Sequence, residues 1–150
     1  MRAIAIAAAF AAIAAAAQQR PNEVIYKSED WNVVRSVRDA GNVVACTGFY
    51  RHNPRVQLSR DTFIVKLPKE AHVRSVALGF GRGELRPPRP LTSAEQSLGA
   101  VVLEGADFEQ MVKSRMLFVL MEHGDGKKPL RFDLRTIEPA LAAIRDCKPG

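Results

Sequence analysis

Apolar and polar residues alternate with a period of two through most of this chain and change to a period near 3.6 only toward its end. Phe63, Val65 and Leu67 alternate with Thr62, Ile64 and Lys66, while Val76, Leu78 and Phe80 point one way along Val73 to Phe80. Both runs are predicted strands, and Pro68, which has no N–H to give a ladder, ends the first. Trp31 to Val37 and Asn42 to Tyr50 flank Asp39-Ala40-Gly41-Asn42, a turn composition that predicts a hairpin with Trp31 in the core. Leu98 to Leu103 is a further short apolar run, and Arg115 to Glu122 is nearly continuous hydrophobe, as a central strand covered on both faces would be. His123-Gly124-Asp125-Gly126 supplies the positive-φ positions of a reversal. Beyond it Leu130, Phe132 and Leu134 alternate with Arg131, Asp133 and Arg135, completing the clearest hairpin of the chain.

Helical spacing occurs twice. Asp107 to Lys113 reads as two turns capped by Asp107, with Phe108, Met111 and Val112 on one side. In Thr136 to Asp146 the residues Ile137, Ala140, Leu141, Ile144 and Cys147 recur as one stripe, Pro139 fits the first turn, and Thr136 or Glu138 can cap. About seven strands with two short helices predict a mainly β fold. We expect an antiparallel β-sandwich or half-open barrel carrying a C-terminal helix and one short additional helix.

The first thirty residues follow a different rule. A lone Arg2 precedes the apolar stretch Ala3 to Ala17, which ends in an Ala15-x-Ala17 pattern, the arrangement of a secretory signal cleaved near Ala17. Spanning a bilayer takes about 20 apolar residues, so a membrane anchor is not expected to remain after cleavage. Residues 1–17 are thus read as a signal peptide, 18–30 as a polar leader and 31–150 as a single β-rich domain. Export places that domain in the periplasm or outside the cell. A formal net charge of +6 favours anionic partners without specifying them.

Export makes the two cysteines, Cys46 and Cys147, a disulfide pair. Closing a loop of about 100 residues stabilises by roughly 4 to 5 kcal/mol in the chain-entropy account, and here it ties the last helix to an early strand. With no Cys-x-x-Cys, and with His52, His72 and His123 dispersed, no metal site is expected.

Gly79-Phe80-Gly81-Arg82-Gly83 has alternate glycines but lacks the Gly-Lys-Ser or Gly-Lys-Thr ending of a phosphate loop, and the prolines at 87, 88 and 90 prevent a helix from following. No nucleotide or other cofactor is expected. The same prolines stiffen a segment from which Arg82, Arg86 and Arg89 project planar donors suited to carboxylate or phosphate. Arg51, Arg55 and Arg60, around His52 and Pro54, form a second basic group. These arginines are the candidate anion- or partner-binding residues. Nucleic-acid recognition would want aromatics interleaved with the basic residues, and Phe49-Tyr50-Arg51 is no more than a hint of that, so nucleic acid is not an expected partner. No Gly-x-Ser-x-Gly or His-Glu-x-x-His occurs, and Glu104, Asp107 and Glu109 suit a helix start, so no catalytic residue is assigned.

Trp31-Asn32-Val33-Val34 after the leader, Cys46 in the next strand, Gly124-Asp125-Gly126 between late strands, and Phe132-Asp133-Leu134 before Ala140-Leu141-Ala142-Ala143-Ile144 and Cys147 give the chain a likeness. It resembles the invasion-associated locus B family of small secreted proteobacterial proteins. The resemblance implies a periplasmic or surface-exposed β-rich envelope protein without an assigned enzymatic site. The expectation is therefore a non-enzymatic module, held by one disulfide, whose outer sheet face or arginine loop engages an envelope component or protein partner. Two alternatives stand beside it. A small hydrolase would need a histidine meeting a Ser or carboxylate in a cleft, and an inhibitor of a secreted hydrolase would need a protruding Pro87-Pro88 loop.

Overall fold

A computed structural model of the chain describes residues 22–38, 43–69 and 72–148. The expected signal, its cleavage point, the first residues of the leader and the Asp39–Asn42 turn lie outside the described residues. The described residues form strands β1 (Glu23–Lys27), β2 (Trp31–Arg38), β3 (Val43–Tyr50), β4 (Val56–Leu58), β5 (Thr62–Lys66), β6 (Ser75–Phe80), β7 (Arg89–Pro90), β8 (Ala100–Glu104), β9 (Met116–His123) and β10 (Gly126–Asp133). Helices are α1 (Ser93–Leu98), α2 (Gly105–Ser114) and α3 (Ile137–Arg145). Two antiparallel sheets result, one ordered β1-β2-β3-β4-β5-β8 and the other β10-β9-β6-β7. The fold is a sandwich with a C-terminal helix, not a closed barrel.

Alternation decides which residues the sheets turn inward. In the larger sheet Trp31 lies opposite Tyr50, Val33 opposite Gly48, Gly48 opposite Leu58, Leu58 opposite Phe63 and Phe63 opposite Leu103. In the smaller one Phe80, Leu78 and Val76 face Leu117, Val119 and Met121, and these face Phe132, Leu130 and Lys128. Apart from Tyr50, Leu130 and Lys128, all of these are buried, and the side chains among them form one continuous core. Each such side chain contributes roughly 1.5 to 3 kcal/mol of transfer free energy. Phe63 and Phe132 meet edge-to-face at 6.0 Å, joining the two sheets.

The last helix covers the part of the larger sheet that the smaller sheet leaves open. Ile137, Ala140, Leu141 and Ile144 are its buried stripe, and the helix packs on β1, β2 and β3. Gly48 permits that approach, since a Cβ there would lie 3.2 Å from Leu58 Cβ and 3.3 Å from Ile144 Cδ1. One turn further on, Cys147 forms the expected disulfide with Cys46, their Cα atoms 6.4 Å apart.

Four details differ from the sequence expectation. Leader residues Glu23–Lys27 form β1, paired antiparallel with β2, so the sheet begins before Trp31. Leu98 belongs to α1, not to a strand, because Thr92 and Glu95 form a reciprocal capping box and Gly99 ends the helix at φ 61°. Asp107 caps nothing, because α2 starts at Gly105 behind Glu104, and the Thr136 hydroxyl bonds a distant carboxylate instead of its own helix. Finally, β9 is central but covered on one face only: Leu117, Val119 and Met121 are buried, while Met116, Phe118 and Leu120 are half-buried.

Candidate functional site: the cationic end of the sandwich

The arginine-bearing segment after β6 is exposed but tied down. Arg86 N–H donates to Leu78 C=O at 2.8 Å, laying the chain beside β6, and Leu85 covers Gly79, where a Cβ would come within 3.1 Å of its Cδ2. The Arg86 guanidinium stacks 4.7 Å from the Phe80 ring centroid and donates to Asp107 Oδ1 at 2.6 Å and to Gln110 Oε1. A loop so pinned is no protruding probe. Its prolines hold it extended along a strand.

Arg89 is engaged more completely. Placed by β7 opposite Val76, it donates to both Glu95 oxygens, at 2.7 and 2.9 Å. Glu95 is 2% exposed and also accepts the N–H groups of Thr92 at 2.9 Å and Val102 at 3.0 Å. Burial pushes its carboxyl up, but the Arg89 bonds, the two backbone N–H groups and the Arg89 charge outweigh that and hold it at about 2. The same pairing raises Arg89. Both groups therefore stay charged and mutually satisfied. Of the loop arginines, Arg86 and Arg89 are thus consumed by internal carboxylates, and Arg82 alone projects without an ion pair among the described residues.

The second basic group divides. Arg51 donates to the carbonyls of Ser28 and Glu29 at 2.8 and 3.1 Å, closing the β1–β2 turn against the end of β3. Arg60 donates to Arg145 C=O at 3.2 Å, at the end of α3. Arg55 makes no ion pair among the described residues and faces a cleft where β4 and β5 part from the β9–β10 hairpin.

That cleft, of about 240 Å³, is lined by Arg55, Lys66 and Lys128, by Asn53, and by Val65, Pro68, Met121 and Leu130. Strand alternation explains the arrangement. Lys128 occupies the inward register continuing Phe132 and Leu130, at the hairpin end where the core runs out, while Val65 and Met121 supply the apolar floor. Asn53, whose Oδ1 accepts the Arg55 N–H at 3.0 Å, sits at its edge. Three cations line the cleft, and among the described residues no carboxylate does. Lys66 and Lys128 were absent from the sequence expectation, which sought runs of arginines; the two lysines are 62 positions apart and meet only when the sheets stack.

Each histidine has a distinct setting. His52 Nε2 lies 2.7 Å from Asp30 Oδ1, and Thr136 Oγ1 donates to Asp30 Oδ2 at 2.6 Å. These bonds, led by that from Thr136, keep the Asp30 carboxyl below its ordinary value. The hydroxyl thus points to the carboxylate and not to the imidazole, and Asp30 bridges Thr136 and His52. The trio latches the β1–β2 turn to the end of β3 and the start of α3. His123 Nε2 is buried without a hydrogen-bond partner, and His72 is exposed beside a second cleft. Among the described residues no group of three His, Cys, Asp or Glu side chains could hold a metal ion. No family model, no curated protein and no solved structure matches this chain.

Proposed function

We propose that the protein is an exported binding module of the cell envelope that captures an anionic ligand in the cleft of Arg55, Lys66 and Lys128. The carrying observation is convergence of three cations that no internal carboxylate neutralises, whereas Arg86 and Arg89 each have an acidic partner. Concentrated positive charge over a low-dielectric floor focuses the field on a small anion and speeds its capture. The Cys46–Cys147 bond and the apolar stretch Ala3 to Ala17 support an oxidising compartment outside the cytoplasm. Kinship with the invasion-associated locus B family belongs to the same reading; the pairing of these two cysteines and the burial of Trp31 support it.

Titration with inorganic pyrophosphate, followed by backbone amide shifts, tests the site. Shifts centred on Asn53, Lys66 and Lys128 that weaken about tenfold or more in Arg55→Gln and Lys128→Gln are expected, since a charged hydrogen bond contributes roughly 1.5 to 3 kcal/mol. Arg82→Gln should leave the binding unchanged. Shifts that follow Arg82 instead would move the site to the loop, and their absence would remove it.

A further inference from the structure

The end of the sandwich that carries the cationic cleft continues into a larger, more apolar one. This second cleft, of about 520 Å³, shares Lys66 and Pro68 with the first, so the two open on either side of one short segment. Leu67, Val73, Leu91 and Leu98 line it, with Lys69 and His72 at its side. Leu98 is 63% exposed, the most exposed large hydrophobic side chain among the described residues. Capping at Thr92 and termination at Gly99 set α1 so that Leu98 is its last residue, exposed one turn after the buried Glu95. Among the described residues Glu95 is the single carboxylate on either wall, and Arg89 already neutralises it.

Resting on the anion-binding reading of the first cleft, we infer that this whole end is a docking face for an anionic lipid bilayer. Arg55, Lys66, Lys69 and Lys128 would meet lipid phosphates while Leu98 enters the boundary of the acyl chains. Juxtaposed cations and a protruding aliphatic side chain are what such a surface rewards: charge supplies attraction that salt screens, and the leucine supplies insertion that salt does not. An acidic polysaccharide would match the cations but gives the exposed leucine nothing to bury against. Among the described residues neither cleft is lined by a Phe, Tyr or Trp on which a sugar ring could stack.

Co-sedimentation of the full chain with vesicles of phosphatidylglycerol and phosphatidylethanolamine, compared with phosphatidylcholine alone, tests the inference. Every variant carries the same N-terminus, so any contribution from the apolar stretch Ala3 to Ala17 is common to all. Partition should favour the anionic vesicles, fall with added salt, and drop about five-fold for each of Lys66→Gln and Lys128→Gln. Leu98→Ser should lower it more than about three-fold without changing the salt slope. All three positions are exposed, and circular dichroism of each variant checks that the fold is kept. Equal partition on both vesicle types, indifference to Leu98→Ser, or retention on dextran sulfate without vesicle binding overturns the inference. Pyrophosphate shifts persisting in any of those cases leave the anion cleft standing; if pyrophosphate also fails, the cleft falls with it.

Discussion

Glu95→Gln is the substitution whose cost the structure defines most closely. The wild-type carboxylate is 2% exposed and accepts four hydrogen bonds, two from Arg89 and one each from Thr92 and Val102. Its value of about 2, against an ordinary 4.5, is equivalent to about 3 kcal/mol of folding stability. Glutamine keeps the volume but removes the charge and turns one oxygen into a donor, which faces the Arg89 guanidinium together with either the Thr92 or the Val102 N–H. Arg89 is left without its counter-ion, and breaking one side of a buried pair costs about 3 to 5 kcal/mol. Urea unfolding at pH 7 should show a loss of that size. Because the folded value is depressed, the contribution of Glu95 is fully present above about pH 4.5 and disappears as pH falls toward 2. The difference between wild type and variant should therefore narrow across that window. A loss below about 1 kcal/mol at pH 7, or a gap that stays constant from pH 5 to 2, would refute the account of Glu95 as the charged clasp between β7, α1 and the β8 edge.

Two further outcomes concern the clamp on α3. Reduction of Cys46–Cys147 should lower unfolding stability by roughly 4 to 5 kcal/mol, with mass measurement after alkylation showing both thiols labelled only after reductant. Gly48→Ala should cost about 1 to 3 kcal/mol in urea, because the added Cβ meets Leu58 and Ile144 at 3.2 and 3.3 Å and both are held in the core; a loss under about 0.5 kcal/mol would mean that α3 can shift freely on the sheet.

Elements with strong local rules were legible before any coordinates. The β9–β10 reversal falls where His123-Gly124-Asp125-Gly126 predicts it, with His123 and Gly126 the closing pair, though of the two glycines only Gly126 takes a positive φ. Five regularly spaced residues, from Ile137 to Cys147, announced the face of α3 and brought the cysteine to the sheet. Some signals were present and passed over: Thr92-Ser93-Ala94-Glu95 is a capping-box sequence, yet the apolar run beginning at Leu98 drew that residue into a strand. Glu23–Lys27 is polar at its ends and belongs to an edge strand, where one neighbour suffices and no continuous apolar run is needed.

Local periodicity determined the strands, the hairpin turns, the C-terminal helix and the pairing of the only two cysteines, because each depends on residues a few positions apart or on composition alone. Which cations are spent and which remain was decided by tertiary structure. Arg89 lies near Glu95 in sequence, but the bonds that bury the carboxylate come also from Val102 on the next strand, while Asp107 reaches Arg86 across 21 positions. Lys66 and Lys128 look like ordinary strand lysines until the sheets stack and their ends diverge. Electrostatic character depends on distance in space, and a one-dimensional pattern holds no distances between elements that have yet to pack.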